Sequence, residues 1–600
     1  MSLGIRRSFT LAAMLALAGS AFGAPAMAQD EPQPGGTIIF GEWQPATQLN
    51  AYFTTAFTNV EAYSPVFRGL FNVNADGEWF GDLATEVPSV EAGSIVEDPS
   101  GDGFTVTMTM KPGLVWSDGE PLDMNDQKWT YDWAVEVAKS GVGCTGCSNL
   151  VPTIATTDAN GDPLDLEAQY APENQYVESI TVSDDGLSMD VKYRKNFAGW
   201  IGQWGTVNSP IMPQQYFESI AYADLPSSVP LGSGIENVPA AGPFKFSAAS
   251  SDGIDYVRND LWNGGTKPLL DGLKFRFFGS KDGQITAFLN GEIDLALDMT
   301  QADYPAIQGV DPSIGKAELD SVWQYEHIDF NLARTEKGLD DLAVRTALAM
   351  AIDKQDLINV LFPGTQLEPA CSTAPPGTWW RDDSIQCPPY DPEGAAAMLD
   401  AAGWVVNPDT GVREKDGNQL RLQMCTTSGN PTRLTTLGKA NQYFAAITVP
   451  SDITTADASS VVFAGWADTT PDTDCSIYRG TYDVADFAWV LSGDVWGNYY
   501  YIYHSSQIPS DSAPNGSNNS RIASPEMDAA LDTLGIAVDP AMQKEAAFVV
   551  QQVVADTINE IPLYYRAETT GVGNHLGGWV KYNPSSAGPT YDVENWYFIP

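Results

Sequence analysis

The stretch Lys111-Pro112-Gly113-Leu114-Val115-Trp116-Ser117-Asp118-Gly119-Glu120-Pro121-Leu122 sets a tight-turn signal beside one large aromatic residue. Asp118-Gly119 is turn chemistry, since glycine takes the positive φ that such turns demand. Trp116 reads as core. A second aromatic group, Trp129, Tyr131 and Trp133, follows at once. The segment is a structural marker, and a poor candidate for a binding site.

Outward from it, short β-branched and aromatic runs recur. Gly35-Gly36-Thr37-Ile38-Ile39-Phe40 reads as a strand after Pro/Gly punctuation, and strands are expected at 104–110, 176–182, 189–193, 244–246 and 273–278. Helix starts are marked by caps. Asp391-Pro392-Glu393 supplies an N-cap, a proline at the first helical position and an acid in the first turn; Met398, Leu399 and Ala402 then share a side and Gly403 closes the helix. Ser524-Pro525-Glu526 and Asp539-Pro540 repeat that start. A further helix is expected from Asp340, with Val344, Leu348, Ala351 and Ile352 on one face. Strands dominate to about residue 300 and alternate with helices afterwards, the pattern of an α/β protein with at least two lobes.

The composition narrows the function. Six hundred residues make roughly four domain-sized pieces. Asp and Glu total 77 against 31 Lys and Arg, a formal net charge of −46. Nucleic-acid binding needs a basic face, and so does an anionic membrane surface; both are excluded as partners. Seventeen Trp and 11% aromatic content exclude a disordered acidic chain. Three histidines, His327, His504 and His575, argue against a His-rich zinc or iron centre. The acidity reads first as a solubility device, with steering of cationic ligands as the alternative.

Residues 1–28 combine Arg6-Arg7, a short apolar run and Ala26-Met27-Ala28, an A-x-A cleavage pattern. They are expected to be a cleaved signal peptide, with the mature chain beginning near Gln29. Arg6-Arg7-Ser8-Phe9 leaves the twin-arginine route open beside the general one. No cysteine stands at the cleavage point, so no lipid anchor is expected there, and no later run reaches about 18 apolar residues. The expected place is periplasmic or otherwise extracytoplasmic. Six cysteines in an exported chain suit disulfides. Cys371 and Cys387 bracket a Pro-rich loop. Cys144 and Cys147 sit in a Gly/Ser-rich loop where a local bridge is sterically allowed. Cys425 and Cys475 are then left to pair, with fifteen connectivities formally open. The turn at 158–162, with Asp165 and Glu167 after it, departs from calcium-loop spacing and reads as a hairpin.

Several segments together resemble the family-5 extracellular solute-binding proteins of ABC importers, the group that includes dipeptide and oligopeptide receptors. The 111–122 stretch resembles that family's "L-x-x-G-V-x-W-S-D-G-x-P-L-T-A" signature, with Asp123 and Met124 in place of Thr-Ala, and Trp129, Tyr131 and Trp133 match its "V-x-Y-T-W" helix. Ala241-Gly242-Pro243-Phe244, Leu289-Asn290-Gly291-Glu292-Ile293-Asp294, Val344-Arg345 through Asp353-Lys354, Tyr390-Asp391-Pro392 through Gly403, and Tyr482-Asp483 with Trp489 resemble further family segments in order. The resemblance runs over about 35–600. It implies an α/β, bilobal, type II periplasmic-binding-protein fold with two connecting segments and an additional N-terminal domain. Lobe I would combine 29–75, 205–325 and 566–600; the additional domain would be 76–204, and lobe II 326–565.

The implied protein is a monomeric substrate-binding receptor, not an enzyme. It captures a solute, with a di- or oligopeptide as the expected one, in an interlobe cleft. It then delivers the solute to a membrane permease and its ATPase subunits. No catalytic residue, cofactor or metal is expected. The alternative within the scaffold is a non-peptide solute, an oligosaccharide or metal chelate. From another class, a secreted glycoside hydrolase would need two singled-out carboxylates, and none stands above the acidic background. Peptide receptors of the family carry an Asp shortly after the Trp matched by Trp489, to pair with the ligand's ammonium. Asp494 is the nearest counterpart, displaced by about two positions. Trp489, Trp496 and Trp43 are the aromatic candidates for ligand contact. Arg345 and Asp353 are expected as a helix-flanking charge and a cap, and Tyr499-Tyr500-Tyr501 as a run that alternates sides if it is a strand.

Overall fold

The computed structural model describes residue 32 and residues 34–54, 56–155, 164–205, 209–466, 469–511, 513, 516–580 and 588–600. The expected signal peptide and the turn at 158–162 lie outside the described residues. Ten strands form one mixed sheet: β1 (Thr37–Glu42), β2 (Phe244–Ser250), β3 (Gly253–Arg258), β4 (Gly272–Phe277), β5 (Leu295–Thr300), β6 (Gly315–Phe330), β7 (Leu422–Thr427), β8 (Ser451–Ala456), β9 (Val484–Val490) and β10 (Glu560–Gly573). Their order across the sheet is β8-β7-β9-β6-β10-β5-β1-β4-β3-β2.

Two strands are far longer than the rest. β6 has 16 residues and β10 has 14, enough for about 50 Å at strand rise. They pair antiparallel from Gly315 opposite Gly573 to Asp329 opposite Glu560, with register breaks between Ser321 and Tyr325 and again between Glu326 and His327. β5 and β1 flank them on one side and β9 and β7 on the other. The direction of each follows from the ladder. β5 is antiparallel to β10 and parallel to β1, whereas β9 is antiparallel to β6 and parallel to β7. Strands of the two lobes therefore run toward each other, and their carboxyl ends meet at the crossing.

Among the described residues the α-helices of eight or more residues are α1 (Met124–Lys139), α2 (Lys281–Leu289), α3 (Leu342–Met350), α4 (Lys354–Leu361), α5 (Pro392–Ala401), α6 (Pro431–Ala446), α7 (Val495–Tyr503), α8 (Pro525–Ile536) and α9 (Pro540–Thr557). Asp391, Ser524 and Asp539 cap α5, α8 and α9 through their side chains, each with proline in the first turn. Asp353 caps α4. Helices α3 to α6 cover one apolar face of lobe II, and α7 to α9 cover the other. The additional domain is a four-stranded antiparallel sheet (95–97, 104–109, 188–193, 177–182) packed with α1. The Asp-Gly turn forms as expected: Gly119 has φ +96° and donates to the Trp116 carbonyl, while Trp116 is fully buried. This domain also grips lobe II. Trp200 Nε1 donates to the Val538 carbonyl (2.7 Å), Ala198 N to that of Gly535, and Gln543 Nε2 to that of Ala198.

Several local expectations need correction. The helix after Asp340 is capped by Asp341 and ends at Met350, so Ala351 and Ile352 lie past it. Arg345 is not a flanking charge. It is buried and donates to the carbonyls of Leu339, Thr557 and Ile558, closing the C-terminus of α9. Tyr499 to Tyr501 lie in α7, because Asp494 caps a helix there. Cys144 precedes a short helix, Thr145–Leu150. The bridges are Cys144–Cys147, Cys371–Cys387 and Cys425–Cys475. Among the described residues no helix is long and apolar enough to cross a membrane.

Arg68 ties the C-terminal segment into lobe I. Its guanidinium is 1% exposed and reaches Asp82 (3.3 Å), Glu594 (2.8 Å) and the Tyr591 carbonyl (2.7 Å). Arg68→Met removes the cation facing two buried carboxylates, and denaturant titration should show a loss of about 3–5 kcal/mol.

Candidate functional site

The carboxyl ends of strands in an α/β sheet are where loops of both directions leave a crevice. Here a cavity of about 340 Å³ occupies that place. One wall comes from the end of β5, with Asp298, Thr300 and Gln301; the other comes from the loop after β7 and the start of α6, with Asn430, Thr432 and Arg433. The floor is the crossing itself, with Val322, Gln324 and Glu326 of β6 and Tyr564, Arg566 and Glu568 of β10. These alternate residues point to one face of the ladder.

The walls carry different ionisable groups, guanidiniums on one and carboxyls on the other. Glu326 is fully buried and accepts from Arg433 Nε (2.5 Å) and from Arg566 Nε (3.0 Å) and Nη2 (2.9 Å). Arg433 also donates to Thr427 Oγ1, and Arg566 to Gln324 Oε1 (3.3 Å). One carboxylate thus faces two guanidiniums. Asp486 beside them does not cancel the surplus: burial, with the Glu326 charge added, holds its carboxyl well above the carboxylate range. Across the cavity stand Asp298 and Glu568, both held above their ordinary range chiefly by burial. Asp298 sits at φ +53° in the β5 irregularity between Ala296 and Met299. Behind it, Glu42 at the end of β1 adjoins Glu61 and accepts from Thr58 Oγ1 (2.7 Å). Burial pushes Glu42 up to about 8, and burial plus Glu42 raises Glu61 further.

A second feature is an open strand edge. β9 pairs with β6 along its whole length but with β7 only at Val484 and Ala485. Leu491 N donates to Trp323 O and Asn331 N to Asp483 O, so the odd-numbered residues bond to β6. By alternation the N–H and C=O of Ala488 and Val490 turn to the other edge. No strand pairs there among the described residues. Val490 is 68% exposed.

The residues singled out from sequence fall in two places. Trp489 lies half-buried on the opposite face of the ladder, stacked on His327 (5.8 Å) and edge-on to Phe487. Asp494 caps α7 by accepting from Gly497 N (2.9 Å); it is exposed, yet the protein crowded around it raises its carboxyl above the usual range. Trp496 packs on Tyr500 (4.9 Å) and against Gly535. Trp489 and Trp496 border the same apolar cluster of lobe II, and Trp79 reaches Gly493 beside Asp494. Trp43 is apart from these, just past β1 on the acidic wall, with Lys281 Nζ 5.7 Å from its ring. Sequence reading missed Asp298, Glu326, Arg433, Arg566 and Glu568. The one available signal was the run Tyr325-Glu326-His327-Ile328-Asp329-Phe330, where charges interrupt an otherwise apolar strand.

Two lobes joined by paired strands, with a polar crevice where their carboxyl ends meet, define a ligand-binding protein of the two-lobed kind. The chain belongs to the bacterial extracellular solute-binding proteins, family 5, whose middle-region model matches residues 78–510. It is 25% identical over 413 residues to the oligopeptide-binding protein OppA of Lactococcus lactis subsp. lactis (strain IL1403), covering 66% of this chain and 64% of that one. It is 22% identical over 577 residues to the oligopeptide-binding protein AppA of Bacillus subtilis (strain 168), covering 94% and 92%. The solved structure of the periplasmic murein tripeptide binding protein MppA, in its unliganded open form, shares the fold. Its TM-score is 0.71 at 16% identity, covering 94% of this chain and 97% of that one.

Glu42 gives the site a pH signature. Its folded pKa of about 8 lies above its ordinary 4.5, so its protonated form contributes stability in full below the lower value. That contribution is lost as pH rises through the higher one. The melting temperature should fall across this window, and Glu42→Gln should flatten the fall; an unchanged profile would mean that Glu42 is ionised in the fold.

Proposed function

We propose that this chain is the solute receptor of an ABC importer, that it catalyses no reaction, and that its solute is a di- or oligopeptide held between the lobes. The observation carrying the peptide reading is the open edge of β9. An extended peptide adds to such an edge as a further strand, and bonds made to its backbone accept any side chain. A sugar offers no alternating N–H and C=O groups at strand spacing. The guanidinium wall supports the same reading: Arg433 and Arg566 share one carboxylate, Glu326, which leaves positive charge for the carboxylate end of a peptide. The relatives described above are named for oligopeptides and a murein tripeptide, which agrees.

Asp494 is the proposed partner of the ligand's ammonium, with Trp489, Trp496 and Trp43 as stacking surfaces. The proposed moving parts are lobe I (29–75, 205–325, 566–600), which carries the additional domain (76–204), and lobe II (326–565). The exported chain works as a monomer without a lipid anchor and hands its solute to a permease driven by ATPase subunits.

Mass spectrometry of small molecules released on denaturing the purified protein should find a ladder of short peptides; a single sugar or chelate would overturn the peptide reading. Val490→Pro deletes one donor from the open edge and leaves the β6 ladder intact. It should weaken peptide binding about three- to tenfold, the worth of one hydrogen bond, with the melting temperature little changed. Asn caps a helix as well as Asp does, so Asp494→Asn keeps α7 while removing the charge. Calorimetric affinity should drop at least about tenfold. Unchanged affinity would remove Asp494 from the site.

A further inference from the structure

On the ladder face opposite Glu326, β6 and β10 carry a second polar group that solute capture leaves unused. His327 and Asp329 are two residues apart on β6 and so share a face, and Asp329 stands directly opposite Glu560 on β10. All three are buried. One donor atom from each lies within 4.8 Å of the others, with His327 Nε2 4.0 Å from Asp329 Oδ1. Neither nitrogen of His327 makes a full hydrogen bond, and neither does Glu560 Oε2, although the Trp489 indole and the Tyr503 hydroxyl approach the Glu560 carboxyl. The carbonyls of Tyr325 and Phe487 approach the imidazole without reaching full hydrogen-bond geometry. Glu560 Oε1 is oriented by the Tyr325 hydroxyl (2.9 Å), itself 3.1 Å from that of Tyr503. Glu560 also borders a cavity of about 70 Å³, room for a water or two.

Two carboxylates placed opposite each other on neighbouring strands, away from water, repel unless a proton or a cation stands between them. The nearby basic groups are otherwise engaged. Lys354 Nζ donates to the Ala370 carbonyl (2.8 Å), and Arg521 to the carbonyls of Asn519, Ile477 and Tyr478. Among the described residues no Lys or Arg makes an ion pair with Asp329 or Glu560. His327 is not placed as the counter-charge, since its Nε2 lies 4.0 Å from Asp329 Oδ1, beyond a hydrogen bond. A proton shared by Asp329 and Glu560 would quiet the carboxylates but leave both imidazole nitrogens unsatisfied. A metal ion satisfies all three residues.

We propose that His327, Asp329 and Glu560 bind one divalent transition-metal ion of the zinc type, which pins the two interlobe strands together at their lobe II end. One neutral imidazole and two carboxylates are a donor set for zinc, cobalt or manganese; calcium needs six to eight oxygens. Donor atoms around tetrahedral zinc lie about 3.3 Å apart at bonds of about 2.0–2.1 Å, so the triad closes by about 1 Å on binding. Water from the adjoining cavity completes the shell. The proposal does not depend on which solute the protein carries.

The test uses the untagged, disulfide-intact chain, unfolded in denaturant and refolded with Zn²⁺, with Co²⁺ or with EDTA, then freed of loose metal. The Zn²⁺ form should retain one equivalent by elemental analysis and melt several degrees above the EDTA form. The Co²⁺ form should show the visible absorption of a four-coordinate site. His327→Gln and Glu560→Gln, each neutral and close in volume, should lose the retained metal and the shift. Asp329→Asn stands in if either fails to fold. Retention by the variants equal to that of the parent would assign the metal to surface acids and overturn the site. So would a parent that retains none and melts alike in Zn²⁺ and EDTA.

Discussion

Everything in this molecule is arranged around one antiparallel pairing, that of β6 with β10. A ladder long enough to serve both lobes forces their strands into a common sheet and dictates their directions. Carboxyl ends of the two lobes therefore face each other. The break between Ser321 and Tyr325 interrupts the pairing at the point where lobe contacts change hands. Extra residues on one strand increase local twist and bend the ladder. Gln324 and Arg566 at this break are already in the cavity floor. The same irregularity thus separates the lobes and supplies the site.

The charge of the site differs from what a count of ionisable residues implies. Glu42, Glu61, Asp298, Asp486, Glu560 and Glu568 are all held above their ordinary range, chiefly by burial. Carboxyls raised in this way hold their protons to higher pH than free ones, so the working charge is less negative than a count of residues implies. On the Asp298 and Glu568 wall the same burial reduces the negative charge that faces the guanidiniums. On the lobe II wall Asp486 is held well above its ordinary range beside two guanidiniums that share a single carboxylate. Buried ion pairs contribute little net stability, since desolvation offsets attraction. Their value here is that their geometry is fixed before any solute arrives.

The parts of the fold that were legible in sequence are those written in short range. Asp118-Gly119 names its own turn, and Asp391-Pro392, Ser524-Pro525 and Asp539-Pro540 name helix starts within three residues. Arg345 was misread because the carbonyls that hold it, at 557 and 558, lie more than two hundred positions away. The tyrosine run was ambiguous for a different reason. Aromatic triplets favour strands by propensity, and Asp494 was weighed for its charge when its local effect was to cap α7. The polarised cavity was illegible because Asp298, Glu326, Arg433 and Arg566 come from separate elements. Each is an unremarkable charge on its own.

The grip of the additional domain on lobe II has a mechanical consequence. Two strands side by side define a short line, and bodies joined only along such a line are free to swing and to twist. The contacts of Ala198 and Trp200 with α8, α9 and their connection add a third point of attachment away from that line. Three points not in a row leave two rigid bodies no common axis to turn about. Relative movement of the lobes therefore requires this third contact to yield, so that the hydrogen bonds of Ala198, Trp200 and Gln543 act as a latch on whatever surface the lobes present to a partner.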